Sequence, residues 1–137
     1  MSNDKISKII IKLNRETKED KIKWVKNNRE MPSSLSGSEG LVGLVYYADV
    51  IDKTLRLYKY NFKSFYDEVT WELQVSIRLE FVERFSLKTE YIFPEDRSID
   101  ELYETVLYKT SGVERFADEF LNQENSINEP TDDNPFV

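Results

Sequence analysis

"VTWELQVSIRLEFVERF", residues 69–85, alternates between apolar and polar side chains from Val69 to Phe81. Trp71, Leu73, Val75, Ile77, Leu79 and Phe81 fall on one side, with Thr70, Glu72, Gln74, Ser76, Arg78 and Glu80 on the other. Successive strand side chains point to opposite faces, so period two over this length predicts a strand in a sheet with one buried face.

The neighbouring segments extend that sheet. "TLRLYKYNF" (54–62) sets Leu55 and Leu57 against Arg56, Tyr58, Tyr60 and Phe62. "LVGLVYYADVI" (41–51) is almost continuously apolar, as expected of a strand covered on both faces, and "DK" (52–53) is the turn between the two. "KIKWV" (21–25) and "SLKTEYIF" (86–93) alternate over shorter lengths and predict two more strands. Residues 27–40, rich in Asn, Ser, Gly and Pro, predict a long loop, read as mobile.

Helical spacing brackets the strands. Ile6, Ile9, Ile10 and Leu13 line one face of a helix over 3–19, capped by Asn3 or Ser2. Lys5, Lys8, Lys12 and Arg15 occupy the opposite face, the ordinary solvated back of a surface helix. Ser98 and Glu101 form a capping-box pattern ahead of Ile99, Leu102, Tyr103, Val106 and Leu107. Gly112 breaks or bends that helix before Val113, Phe116 and Phe120 resume an apolar face.

Composition narrows the chemistry. The 137 residues suffice for one domain with one core, and 39% of them are hydrophobic. Without Cys or His, disulfides, thiolate or imidazole zinc sites, and Cys or Ser–His nucleophiles are excluded. Net charge is −7, divided as +4 over residues 1–30, −2 over 31–94 and −9 over 95–137. No stretch is long and apolar enough for a membrane span, and the N-terminal residues lack a signal-peptide pattern, which predicts a cytoplasmic protein. A carboxylate-only enzyme would draw on Asp67, Glu68, Glu72, Glu80 and Glu90, but no pair is forced together, and such residues are usually the wet side of a strand. No Gly-rich phosphate loop is present. Net negative charge disfavours nucleic acid, although Tyr58, Tyr60 and Phe62 beside Arg56 have the makings of a stacking platform.

Thr17, the run Lys21-Ile22-Lys23-Trp24, the meander and the closing Ser111-Gly112-Val113 with Phe116 together resemble a group of small bacterial proteins without an established activity. That group carries Gly where Asp20 stands here. The resemblance spans about residues 5–121 and implies a fold and a bacterial or mobile-element origin, with no catalytic residues. Separately, "TDDNPFV" at the C-terminus resembles the acidic tip of bacterial single-stranded DNA-binding proteins, which ends Asp-Asp-x-Pro-Phe. Asp132, Asp133, Pro135 and Phe136 match it, with Val137 following the Phe, and a plain solubilising tail is the competing reading.

The expectation is an α+β fold: an N-terminal helix, a five-stranded, mostly antiparallel sheet and a C-terminal helix in one domain over 1–121, then a disordered acidic tail over 122–137. The expected function is non-enzymatic binding of another protein, as inhibitor, adaptor or DNA mimic in phage–host or mobile-element conflict, with no cofactor, metal or membrane. Arg56, Tyr58, Tyr60 and Phe62 form the expected contact face, with Asp132, Asp133 and Phe136 as a second contact. The alternative is a small-ligand sensor with an apolar pocket walled by Trp24, Tyr46 and Trp71. The sequence leaves partner identity and oligomeric state open.

Overall fold

A computed structural model describes the backbone of residues 3–27 and 31–127, and the side chains of 4–27 and 31–123. Helix α1 (Asn3–Lys18) precedes strands β1 (Val25–Lys26), β2 (Gly40–Val50), β3 (Lys53–Phe65), β4 (Trp71–Val82) and β5 (Thr89–Ile92). Helices α2 (Arg97–Thr110) and α3 (Val113–Ile127) follow. The strands pair antiparallel in sequence order, as expected of a meander, and the class is α+β.

One face of the sheet carries α1 and α2. Ile6, Ile10 and Leu13 from α1 and Ile99, Leu102, Tyr103 and Val106 from α2 bury against Tyr46, Leu55, Leu57 and Leu79. The Ser7 hydroxyl bonds to the Asp96 carboxylate, and Lys109 reaches Asp20 at 3.2 Å, so the two helices run side by side in the same direction. Asp96 also caps α2, accepting from the Ser98 N–H at 2.9 Å. The cap is therefore Asp96 and not Ser98, whose hydroxyl bonds to the same carboxylate at 2.8 Å.

The end of α1 explains the short β1. The N–H groups of Asp20 and Lys21 bond to the carbonyls of Thr17 and Glu16, a Schellman closure with Asp20 in the left-handed region at φ 62°. The Ile22 N–H also turns back to Glu16. The expected strand over 21–25 is thereby reduced to Val25–Lys26, although Ile22 and Trp24 still face inward and are buried. The Trp24 indole donates to the Thr17 hydroxyl at 3.0 Å, which donates to the Leu13 carbonyl, locking the connector to the helix.

Elsewhere, β5 is shorter than expected because Glu83–Lys88 closes a turn with Leu87 at φ 60°. Gly112, at φ 81°, separates α2 from α3, so the C-terminal helix expected to break or bend there is broken into two. Helix α3 continues to Ile127, through the start of the expected tail, and residues 128–137 lie outside the described ones. The proposed Asn3 or Ser2 cap side chains do so as well.

Two stability predictions follow from these helix ends. The hydroxyl of Ser7 and the donors of Ser98 hold the Asp96 carboxyl below its ordinary pKa. Its contribution is therefore complete above the unfolded-chain value of about 4 and is lost as pH falls through the lower folded value. Asp96→Ala costs about 1 kcal/mol in urea unfolding at neutral pH, and the gap from wild type closes in acid. Asp20→Gly removes a side chain from a left-handed residue at the expense of an exposed ion pair with Lys23 and a partly buried one with Lys109, and raises Tm by a few degrees. A lowered Tm would show that those ion pairs outweigh the backbone.

Candidate interaction surface

The second face of the sheet has no helix over it, yet it is closed. Arg56, Tyr58 and Tyr60 are buried, with Tyr58 fully inaccessible, and Phe62 is half-buried against them. The open aromatic face expected at these four residues is therefore covered. Two loop segments form the roof. Leu35 packs on the cluster from the β1–β2 connection, and Leu87 packs on it from the β4–β5 turn.

Each roof segment is held by an arginine. Arg56 sits directly opposite Glu80 in the β3–β4 register and forms a buried ion pair with it. Its remaining donors reach the Leu87 carbonyl at 3.1 Å and the Thr89 hydroxyl at 3.0 Å. Thr89 in turn donates to the second Glu80 oxygen at 3.3 Å. Arg78 grips the other segment, donating to both Glu39 oxygens at 3.3 and 3.1 Å and to the Ser34 carbonyl at 3.2 Å. Its guanidinium lies 4.2 Å from the Tyr60 ring centre and donates to the Tyr58 hydroxyl. Burial opposes ionisation of Glu39, but the Ser36 N–H and Arg78 outweigh it and hold the carboxyl below its ordinary value. Burial pushes the Tyr58 phenol up. The segment read as a mobile loop is, from Ser34 to Glu39, a tethered strap.

One exposed apolar surface lies on the helix-bearing face. Beyond the Gly40–Asn61 pair β3 loses its β2 neighbour, and β5 pairs β4 only at Glu80–Val82. The distal parts of β3 and β4 therefore run on as a two-stranded ribbon. Its register sets Phe65 opposite Trp71, Lys63 opposite Leu73 and Asn61 opposite Val75. Trp71, Leu73 and Val75 belong to the apolar side of the alternating segment, but they are 45%, 58% and 59% exposed, because the helices end short of them. The Lys63 ammonium sits 4.4 Å from the Trp71 ring centre. At the ribbon tip the Asp67 carboxylate accepts from the N–H groups of Val69 and Thr70, which fixes the turn.

The remaining sequence candidates are dispersed. Trp24 and Tyr46 are packed into the filled core, while Trp71 stands on the ribbon, so these three do not wall a common pocket. An open surface groove of about 500 Å³ lies instead beside Lys21, Lys23, Tyr47 and Arg84. Among the carboxylates, Glu80 pairs with Arg56, Glu90 with Lys53 at 3.6 Å, and Glu72 accepts from Gln74. Among the described residues no three metal-type ligands cluster, and no helix is long and apolar enough to cross a membrane. Asp132, Asp133 and Phe136 lie outside the described residues.

The chain matches no protein-family model, and no curated protein or solved structure is significantly similar to it.

Burial makes the Arg56–Glu80 pair a test of the second face. Glu80→Ala strands a buried guanidinium and costs about 3–5 kcal/mol in chemical unfolding. A joint Arg56→Met, Glu80→Leu replacement recovers part of that loss, the remainder reflecting the Leu87 carbonyl and Thr89 hydroxyl that lose their donor. An equal loss in both variants would mean that the loops need the charge itself.

Proposed function

We propose that this chain is a protein-binding module without catalytic chemistry of its own, and that the β3–β4 ribbon is its contact face. The observation that carries this reading is the exposure of Trp71, Leu73 and Val75 in succession along a two-stranded ribbon whose turn is tied by Asp67. Contiguous apolar surface of this kind, edged by polar residues, marks contact sites more often than plain surface does. Trp71 has the character of an interface anchor: a large ring whose pose is already fixed by a stacked lysine.

The ribbon also supports a choice among the roles such a module could take. A DNA mimic presents rows of carboxylates, whereas this face presents apolar groups with Lys63, and Lys59 adjoins it beside Tyr103. That favours an inhibitor or adaptor docking on an apolar, acidic surface of its partner. The likeness to the group of small bacterial proteins is supported by two local features. The Thr17–Trp24 hydrogen bond joins the residues that carry the likeness, and Asp20 adopts the left-handed backbone that suits the Gly of that group.

Tagged wild-type chain and a Leu73→Asp, Val75→Asp variant, each expressed in native cells, test the reading by quantitative capture. Both substitutions are at exposed sites, so the melting curve should be unchanged while one or more captured proteins drop out. Identical captured sets from the two chains would remove the ribbon from the contact.

A further inference from the structure

Helix α3 is as uncovered as the ribbon. Val113, Phe116, Ala117, Phe120 and Leu121 follow helical spacing and form one apolar stripe. Apart from Ala117, every described residue of α3 is exposed, and Phe116 and Phe120 stack on each other, facing solvent, with ring centres 5.6 Å apart. An isolated helix of about 15 residues is marginal in water, and its stability in proteins comes mainly from burying such a stripe. Within its own chain α3 has an ion pair from Lys109 to Glu114, but its stripe is left open.

Resting on the reading of the ribbon as a contact face, we infer that its occupant is α3 of a second copy of this chain. Each copy carries both halves of the contact, so a two-fold dimer seats each α3 on the other copy's ribbon and closes without leaving a free half. The charges agree. The stripe is flanked by Glu114, Asp118 and Glu119, of which Glu114 and Glu119 already pair with Lys109 and Arg115, while the ribbon face carries Lys63, with Lys59 next to it where β3 still pairs β2. Among the described residues neither lysine is in an ion pair, and they lie against the rings of Tyr103 and Trp71 instead. An acidic aromatic helix thus meets a basic aromatic ribbon.

The area is also of the right order. A fully covered aromatic side chain buries about 150–250 Å². Half of that from Phe116, Phe120, Phe65 and Trp71, with the aliphatic residues beside them, approaches the roughly 800 Å² per partner of a standard stable interface. Edge-to-edge pairing of two ribbons is the other self-contact open to this surface, and it would leave α3 uncovered.

Sedimentation equilibrium of the full chain, from micromolar to near-millimolar concentration, should show a monomer–dimer equilibrium. Phe116→Ala with Phe120→Ala should weaken it about tenfold or more, and so should Trp71→Ala with Leu73→Ala. All four sites are exposed, so circular dichroism of both variants should show the sheet intact. An equimolar mixture of the two variants keeps one good helix and one good ribbon, and should associate more tightly than either variant alone. Added salt should weaken the wild-type dimer. A chain that is monomeric throughout overturns the inference, as does a dimer indifferent to the α3 pair or a mixture no tighter than its components. None of these results bears on whether the ribbon captures a different protein, which the Leu73→Asp, Val75→Asp comparison decides separately.

Discussion

The buried pair between Arg56 and Glu80 is the constraint around which the second face is organised. A sheet of this kind commonly packs one face on helices and leaves the other wet. Here the other face holds Val45, Tyr47, Tyr58, Tyr60 and Val82, too much apolar surface to leave in water. No described helix covers it, since α1 and α2 both lie on the first face and α3 is turned away from the sheet. Loops must do the covering, and loops have few apolar groups with which to adhere. The two arginines solve this by offering fixed donors to loop carbonyls and carboxylates. Arg56 holds the β4–β5 turn, Arg78 holds the strap from Ser34 to Glu39, and the aromatic rings fill the space between. The charge of Arg56 would be costly in such a place if it were unmatched, and the register that sets Glu80 directly opposite makes it tolerable.

The first face is governed by length. A strand advances about 3.3 Å per residue and a helix about 1.5 Å. Strand β3 has 13 residues and α2 has 14, so the strand is roughly twice as long as the helix that covers it. One end of the sheet must therefore overhang. The overhang keeps the apolar alternation of the covered part, and that is why the exposed ribbon has the chemistry of a core. Helix α3 shows the same mismatch from the other side. It has the stripe of a packing helix, but the turn at Gly112 leads it away from the sheet.

These two causes also separate what was legible in the sequence from what was not. Alternation assigns each residue to a face, and the faces were read correctly: Leu55 and Leu57 point to the helices, while Tyr58, Tyr60 and Phe62 point away. Alternation says nothing about depth. Trp71 and Leu79 have the same parity, yet one is exposed and the other inaccessible, because coverage depends on where the helices end in space. The aromatic strand face was misjudged for the same reason, since its roof is built from segments with little periodicity of their own. Ser34, Leu35 and Glu39 carry no local pattern that predicts a strap. The S-x-x-E pattern misplaced the α2 cap by two residues because Asp96 is an equally good cap, and it also serves α1 through Ser7.

The overhang and the strap place different demands on a contact surface. A covered face such as that of Tyr58 and Tyr60 can bind only after the Arg78 hydrogen bonds to Glu39 and Ser34 are broken, so any partner there must first displace a satisfied, charge-assisted network. The ribbon has no such barrier. Its rings already face solvent, its turn is fixed by Asp67, and binding there orders little that is not ordered beforehand. Between two aromatic surfaces on one sheet, preorganisation favours the one that the helices fail to reach.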